Sequence, residues 1–274
     1  MSTLEAIVLG IVQGLTEFLP ISSTGHLRVV PALAGWEDPG SAFTAVVQLG
    51  TTAAVLIYFR RELWRIAVAW LGSVRTRGRR RDLDARLGWY IVIGTVPIAV
   101  LGFLFRDQIA TSARDLYLIG TVLIVFGLIM LAADRLAPQR DEIEDLDARH
   151  GIAVGLAQAL ALIPGVSRSG ATITAGLMAG LNREAAARYS FLLSTPAIVA
   201  SAAFEMRKFV GDGSAGHAGA GEVVVATLFA FVVGYASIAF LLRWVANHSL
   251  AIFVAYRVVL GALVIALTAA GAIS

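Results

Sequence analysis

Six stretches of this chain are long and apolar enough to cross a bilayer whose hydrocarbon core is about 30 Å thick, and they lie at approximately 42–59, 88–105, 116–133, 187–206, 222–242 and 251–270. Inside lipid every backbone N–H and C=O needs an internal partner, so such segments are helical. Charged residues make up 15% of the chain, well under the roughly 25% usual in water-soluble domains. The sequence therefore predicts an all-α integral membrane protein with six transmembrane helices in a single domain, 1–274. There is no cysteine, which excludes disulfides, thiolate chemistry and iron–sulfur ligation. The first thirty residues show no basic n-region and no small-residue cleavage site, and they carry Glu17 and His26, so they are expected to belong to the mature fold.

Two further apolar stretches, 4–19 and 152–163, are too short to cross. Each runs into a proline followed by small polar residues, "PISSTGH" from Pro20 and "PGVSRSGAT" from Pro164, and each is followed by a second apolar piece, 27–34 and 171–181. This pattern predicts two re-entrant hairpins: a helix in, a turn at depth, a helix back. Lipid tolerates such a break only where protein or trapped water surrounds it, so both tips are expected inside the bundle.

The segment 60–86 carries nine arginines against three acids, which places it in the cytoplasm by the positive-inside rule. Counting crossings from it, 134–150, 182–188 and 243–249 also fall inside. The segments 106–115 and 207–221, with both termini, fall outside. This distribution ties the net charge of +3 to a membrane surface rather than to nucleic acid.

Sliding the chain against itself lays "FLPISSTG" over "LIPGVSRSG", with Pro20 over Pro164, and the same displacement lays "GTTAAV" (50–55) over "STPAIV" (194–199). A shorter displacement brings "VLIVFGLIML" (122–131) over "RVVLGALVIAL" (257–267). Halves of approximately 1–136 and 150–274, joined by the loop 134–150, would each hold one hairpin and three crossings. An odd number of crossings turns the second copy upside down, giving an inverted repeat in which the two polar tips meet near the midplane.

Gln13 and Glu17 are four residues apart and share a helix face. Ser22, Ser23 and Thr24 supply hydroxyls, Gly25 frees the turn, and His26 starts the return. The second tip offers Ser167, Ser169 and Thr172 hydroxyls, Gly165 and Gly170, and Arg168. A Gly- and Ser-rich turn that opens a helix and contains an arginine suits an anion with several oxygens, of which phosphate is the natural candidate. Helix capping alone would account for the serines, and interfacial snorkelling would account for an arginine. A buried acid and a buried arginine each cost about 2.5–3.5 kcal/mol in mid-bilayer, a steep penalty for capping alone. Gln48, Thr51 and Thr52 read as helix glue or cavity lining. Arg257, in "AYRVVL", reads as a snorkelling anchor near the cytoplasmic face, and "DEIEDLDARH" (141–150) as an amphiphilic cytoplasmic loop whose carboxylates are a solvated face rather than a metal site.

At "QGLTEFLPISSTGH" (13–26) and "PGVSRSGAT" (164–172), with "VVQLGTTAAV" (46–55) and "YSFLLSTPAIVA" (189–200), the sequence resembles the bacitracin-resistance family of undecaprenyl-diphosphate phosphatases over essentially its whole length. The resemblance implies an enzyme of the bacterial cell membrane. It would remove one phosphate from the lipid carrier undecaprenyl diphosphate, regenerating the monophosphate for peptidoglycan and other envelope polymers, and it would depend on a divalent cation, Mg²⁺ or Ca²⁺. It also implies roles: Glu17 as the motif acid tied to metal and catalysis, Ser23 and His26 as candidate nucleophile and acid/base, with a phospho-histidine at His26 and direct attack by water as open alternatives, and Arg168 with Ser167, Ser169 and Thr172 on the diphosphate. Gln13, Ser22 and Thr24 complete the expected substrate contacts. The family's acid pair opens with Glu or Gln; here it is Gln13, which leaves one carboxylate. Without the motifs, an inverted repeat with broken helices would read first as a secondary transporter or flippase for a phosphorylated lipid or organic anion.

Overall fold

The computed structural model describes residues 1–76, 82–106, 108–109, 115–212 and 219–273, with side chains placed except at 41–42 and 204–212. Those residues form eleven α-helices and no sheet: α1 Thr3–Phe18, α2 Ser23–Ala34, α3 Gly40–Tyr58, α4 Arg60–Arg75, α5 Leu83–Leu104, α6 Leu116–Leu136, α7 Ala148–Gln158, α8 Arg168–Ala179, α9 Arg183–Asp212, α10 Ala220–Val245 and α11 Ala251–Ala269. Most of the segment expected as the outer loop 106–115, and part of 207–221, lie outside the described residues.

Among the described residues, α5, α6, α10 and α11 are each long and apolar enough to cross a membrane, and a fifth crossing is reached if the bent pair Phe43–Tyr58 and Arg60–Arg75 counts as one span. Their outward faces carry Ile93, Val96, Leu128, Val232 and Val259, all exposed. In water so much apolar surface would be a liability; it belongs against lipid. The protein is a multi-pass membrane protein. The expected crossing 187–206 lies within α9, which is not among the four. Its small and hydroxylated residues, Ala185 to Ala187, Ser190, Ser194 and Thr195, are buried, and α9 forms the centre of the bundle. Phe191 there meets Phe18 of α1 edge-on at 5.6 Å.

The structure corrects the sequence reading in the arginine-rich segment. Much of 60–86 is not loop but helix α4, bent 74° from the helix before it. Two ion pairs hold that angle: Arg188 of α9 grips both carboxylate oxygens of Glu62, at 3.1 and 3.3 Å from its Nε, and Arg65 meets Asp84 at 2.6 Å. Ile66 and Ser73 face inward, whereas Trp64, Val68, Leu71 and Val74 form an exposed apolar stripe with helical spacing. The expected loop 182–188 is likewise the start of α9. At that end the buried Asp134 joins three helices, accepting from Arg183 Nε at 2.6 Å and from the Leu250 N–H at 3.1 Å.

The bundle closes through small residues. A methyl group on Gly14 of α1 would stand 2.8 Å from the backbone nitrogen of Gly234 in α10, and one on Gly155 of α7 would stand 2.5 Å from the Cα of Gly94 in α5. Backbones that close leave van der Waals contact to hold helices where no hydrophobic effect separates them from lipid tails.

Candidate active site

Two prolines build the site. A residue before proline is pushed out of the helical region, and Leu19 (φ −68°, ψ 143°) and Ile163 (φ −82°, ψ 122°) are both extended. Helix α1, with 16 residues or about 24 Å, therefore stops short of a crossing. Each chain then passes through a serine with positive φ, Ser22 at 77° and Ser167 at 73°, a conformation that costs a non-glycine residue about 1–3 kcal/mol. Each serine caps the returning helix: Ser22 Oγ accepts from the Gly25 N–H at 3.4 Å, and Ser167 Oγ accepts from the Gly170 N–H at 3.1 Å. The return helices start earlier than their apolar pieces suggested, so their first residues are Ser23 and Arg168.

The tips touch. Ser169 Oγ donates to the Leu19 carbonyl at 3.2 Å. Arg257 of α11, only 1% exposed, donates to the carbonyls of Pro20 (3.1 Å), Gly165 (2.9 Å), Val166 (3.0 Å) and Leu123 (3.2 Å). This overturns the reading of Arg257 as a surface anchor. Two broken helices leave carbonyls with no intrahelical partner and no water, and a guanidinium, with five donors in a fixed fork, satisfies several at once.

Across the junction, four of the expected residues form one polar group. Ser23 Oγ donates to Glu17 Oε2 at 2.7 Å, and Gln13 Nε2 donates to the same oxygen at 3.2 Å. Arg168 Nη2 stands 3.5 Å from Glu17 Oε1, with the Glu17 side chain 6% exposed and the Arg168 side chain 20%. Three atoms here are buried without a protein partner: Arg168 Nε, Arg168 Nη1 and Gln13 Oε1. A folded chain seldom strands two cationic donors and an amide oxygen around one carboxylate, which makes these atoms candidates for contact with a ligand. Donors matched to an anion and oxygens matched to a hard cation meet at one point.

The remaining candidates have other work. Ser22 and Ser167 are caps, and Ser169 ties the tips. Thr172 is fully buried and donates to the Arg168 carbonyl at 2.7 Å, beside Ser190 Oγ. Thr24 is exposed at the tip. Thr51 and Thr52 hydroxyls both donate to the Gln48 carbonyl within α3. His26, 4% exposed, turns away from Ser23: its Nδ1 lies 2.7 Å from the Ser22 carbonyl and its Nε2 lies 2.7 Å from the hydroxyl of Tyr256. Tyr256 and Arg257 were not singled out as site residues from sequence. The one signal available was an arginine beside a tyrosine in an otherwise apolar crossing, where charge is expensive.

Among the described residues, no three His, Cys, Asp or Glu side chains converge on a metal-sized point. Near the tips, the oxygens a divalent cation could use are the Glu17 carboxylate and the unpartnered Gln13 Oε1. In the run 141–150, His150 sits between Asp147 (2.8 Å) and Asp141 (3.2 Å) and is buried with Leu146, while Glu142, Glu144, Asp145 and Asp147 are exposed, as an amphiphilic segment with a solvated carboxylate face requires.

Comparison with known proteins agrees with the geometry. The chain is 52% identical over its whole length to an undecaprenyl-diphosphatase of Thermobifida fusca, 93% of which is covered. It is 54% identical over 99% of its length to one from Nocardioides, covering 98% of that protein, and 48% identical over its whole length to one from Nocardia farcinica, also 98% covered. A family model described as bacitracin resistance protein BacA matches residues 6–263. With both polar tips inside that match, the chain belongs to the bacitracin resistance protein BacA family.

Proposed function

We propose that the chain hydrolyses undecaprenyl diphosphate to undecaprenyl phosphate and inorganic phosphate at the junction of the two tips. One observation carries this reading: a serine hydroxyl 2.7 Å from a buried carboxylate, facing an arginine with two unmet donors. In this mechanism, Arg168 Nε and Nη1 receive oxygens of the terminal phosphoryl group and offset the charge that spreads over it in the transition state. Ser23 Oγ attacks the terminal phosphorus and its proton passes to Glu17 Oε2, which already accepts it. The bond from that phosphorus to the bridging oxygen breaks, and undecaprenyl phosphate leaves. The proton on Glu17 leaves with the undecaprenyl phosphate; water then attacks the phosphoserine, the freed Glu17 carboxylate accepts a proton from that water and returns it to Ser23 Oγ as the Oγ–P bond breaks, and inorganic phosphate departs. Sequence alone left open whether Glu17 or His26 receives the serine proton; the Ser23–Glu17 hydrogen bond favours Glu17.

A divalent cation, Mg²⁺ or Ca²⁺, would be held by Glu17 and Gln13 Oε1 together with substrate oxygens, in keeping with the habit of Mg²⁺ of taking one or two carboxylates and keeping its waters. When bound, it would supply further neutralisation of the diphosphate.

We further infer an inverted repeat of two halves, each with one re-entrant hairpin and three crossings. Its support is the matching pair of Pro-ended, positive-φ, serine-capped turns and the matching close contacts of Gly10 with Ala226 and Gly155 with Gly94. Helix α4 then lies along the cytoplasmic surface, its stripe of Trp64, Val68 and Leu71 in the headgroup region and its arginines toward anionic lipid, with both termini on the opposite side. The transporter reading is not favoured, because relatives about half identical over the full chain carry a hydrolase name.

The test is chemical. Detergent-purified protein, with no membrane compartments present, should release inorganic phosphate from undecaprenyl diphosphate, and Ser23→Ala should abolish that release. A protein that binds the lipid but releases nothing, or an undiminished Ser23→Ala variant, would end the proposal.

A further inference from the structure

Resting on that phosphatase reading, we propose that Tyr256 is a positioning residue for the reaction, acting through His26 on the turn that presents Ser23. The hydrogen bonds fix its direction of action. His26 Nδ1 lies 2.7 Å from the Ser22 carbonyl. A carbonyl only accepts, so the proton sits on Nδ1. In the neutral ring, Nε2 is then a bare lone pair, and the Tyr256 hydroxyl, 2.7 Å away, donates to it. The two rings are nearly parallel, 9° apart with centroids 5.5 Å from each other, so Tyr256 sets the plane of the imidazole as well as its tautomer.

The imidazole in turn holds the turn. The Ser22 carbonyl accepts both the His26 ring N–H and the His26 backbone N–H, the latter at 3.2 Å. Ser22 has φ 77°, and its side chain caps the helix that Ser23 begins. A strained residue persists only where its surroundings over-determine it. Here the restraint runs from Tyr256 to His26 Nε2, from His26 Nδ1 to the Ser22 carbonyl, and from Ser22 to Ser23, whose hydroxyl must stay on Glu17. Tyr256 adjoins Arg257 in sequence, and Arg257 grips the carbonyls beneath both tips. One turn of α11 thus sets the nucleophile's turn with a phenol and the junction with a guanidinium. Tyr256 hydrogen-bonds His26 and not Arg168, Gln13 or Glu17, so its loss should act on turnover more than on substrate binding.

The experiment uses the full-length protein in detergent and the variant Tyr256→Phe, which keeps the ring and removes the hydroxyl. The expected result is a kcat about tenfold lower with KM changed less than about twofold, tenfold being the factor that one hydrogen bond of ordinary net strength is worth. The chain has four histidines, so ¹⁵N-histidine labelling, with His26→Gln to assign the signal, reads the tautomer directly. Wild type should show a single Nδ1–H form whose Nε2 signal is displaced by a hydrogen bond, and Tyr256→Phe should lose that displacement and mix tautomers. Wild-type kcat in the variant, a change confined to KM, or an unchanged His26 signal each overturns the proposal. Should Tyr256→Phe not fold, the wild-type spectrum decides alone, since a proton on Nε2 contradicts the assignment. If wild type releases no phosphate, the phosphatase reading falls, and the spectra of the two proteins still decide whether Tyr256 governs His26.

Discussion

The turn after Pro20 and the turn after Pro164 end in the same way, although the second is one residue longer and passes through Gly165 at φ 92°. Each has an extended residue before proline, a serine with φ near +75°, that serine's oxygen on the N–H three residues later, and a return helix starting at the next residue. What occupies that next position differs: Ser23 in one tip, Arg168 in the other. Counted back from the capping serines, the first tip has Gln13 and Glu17, whereas the second has Gln158, the last residue of α7, and Leu162 in the short 3-10 turn that follows it. Gln158, fully buried, repeats even the stranded Oε1 of Gln13. The shared backbone delivers the first residue of a helix into the junction, next to free N–H groups that favour an anion. In the proposed mechanism the unshared side chains divide the labour, with acid and nucleophile on one tip and the cation on the other. An acid and an arginine on a single tip could neutralise each other locally, whereas on opposed tips their encounter requires the whole bundle to be assembled.

The sharpest way to break this division is to erase it. Arg168→Ser gives the second tip the side chain of the first, and Glu17→Leu gives the first the side chain of the second. Each should lower kcat for phosphate release from undecaprenyl diphosphate by about 10³-fold or more, since either removes a group that acts on the transferring phosphoryl or on the attacking hydroxyl. Retention of even a tenth of the activity in either variant would contradict the assignment of roles. Both proteins should remain folded, because the pair is loose at 3.5 Å and the tips are tied by other bonds.

Arg257 tests what the tips have in common. Arg257→Met leaves the carbonyls of Pro20, Gly165, Val166 and Leu123 buried without their donor, at a cost of about 1–3 kcal/mol for each that finds no other partner. The expected outcome is a large fall in the thermal unfolding midpoint in detergent, with loss of activity as a consequence. Arg257→Lys should recover only part of it, since an ammonium cannot span the carbonyls that a planar fork reaches.

The caps sharpen the comparison on a smaller scale. Ser22→Ala and Ser167→Ala each remove one N-cap oxygen and should each cost about 1 kcal/mol of stability. Their effects on turnover should diverge. Ser22→Ala loosens the turn that places the Ser23 hydroxyl, while Ser167→Ala loosens one whose guanidinium has a long side chain with which to recover its position. Parallel stability and activity measurements on the two variants distinguish a shared structural device from an unequal chemical one.

Much of this architecture could be read from residues alone, and what could not has physical causes. Proline after an apolar run shorter than a bilayer announces a break, and the cost of burying Glu17 and Arg168 points to their meeting, so the two helix breaks and the Glu17–Arg168 pair are legible in the sequence. Helix α4 was not, because arginine density reports which side of the membrane a segment occupies and is silent on whether it is helical; its period of exposed Trp64, Val68, Leu71 and Val74 was the overlooked signal. Arg257 was misread because a lone arginine near a helix end looks the same in sequence whether it snorkels outward or turns in. Only the knowledge that two broken helices leave carbonyls unpaired beneath it tells the cases apart. The hydroxyl residues were legible as a group but not individually, since capping and substrate binding draw on the same side chains.

The smallest effect lies away from both tips, at the start of the second half's entering helix. Asp147 caps α7, accepting from the N–H groups of Arg149 and His150 and from the His150 ring. Slight burial works against its charge, but the hydrogen bonds with the His150 backbone and ring, the nearby imidazole and the Arg149 N–H outweigh it and hold the carboxyl below the ordinary carboxylate range. A carboxylate lowered on folding contributes stability that is present above its unfolded value and is lost as pH falls through its folded one. Asp147→Ala should therefore lower stability by about 0.5–2 kcal/mol at neutral pH, toward the low end because the side chain is more than half exposed. The gap between wild type and variant should close as the medium is made strongly acidic. Asp147→Asn separates the parts, since an amide oxygen still caps but does not titrate: it should keep most of the stability and lose the pH dependence. Phosphate release at neutral pH should be unaffected by either change, because in the proposed mechanism α1, not α7, carries the acid.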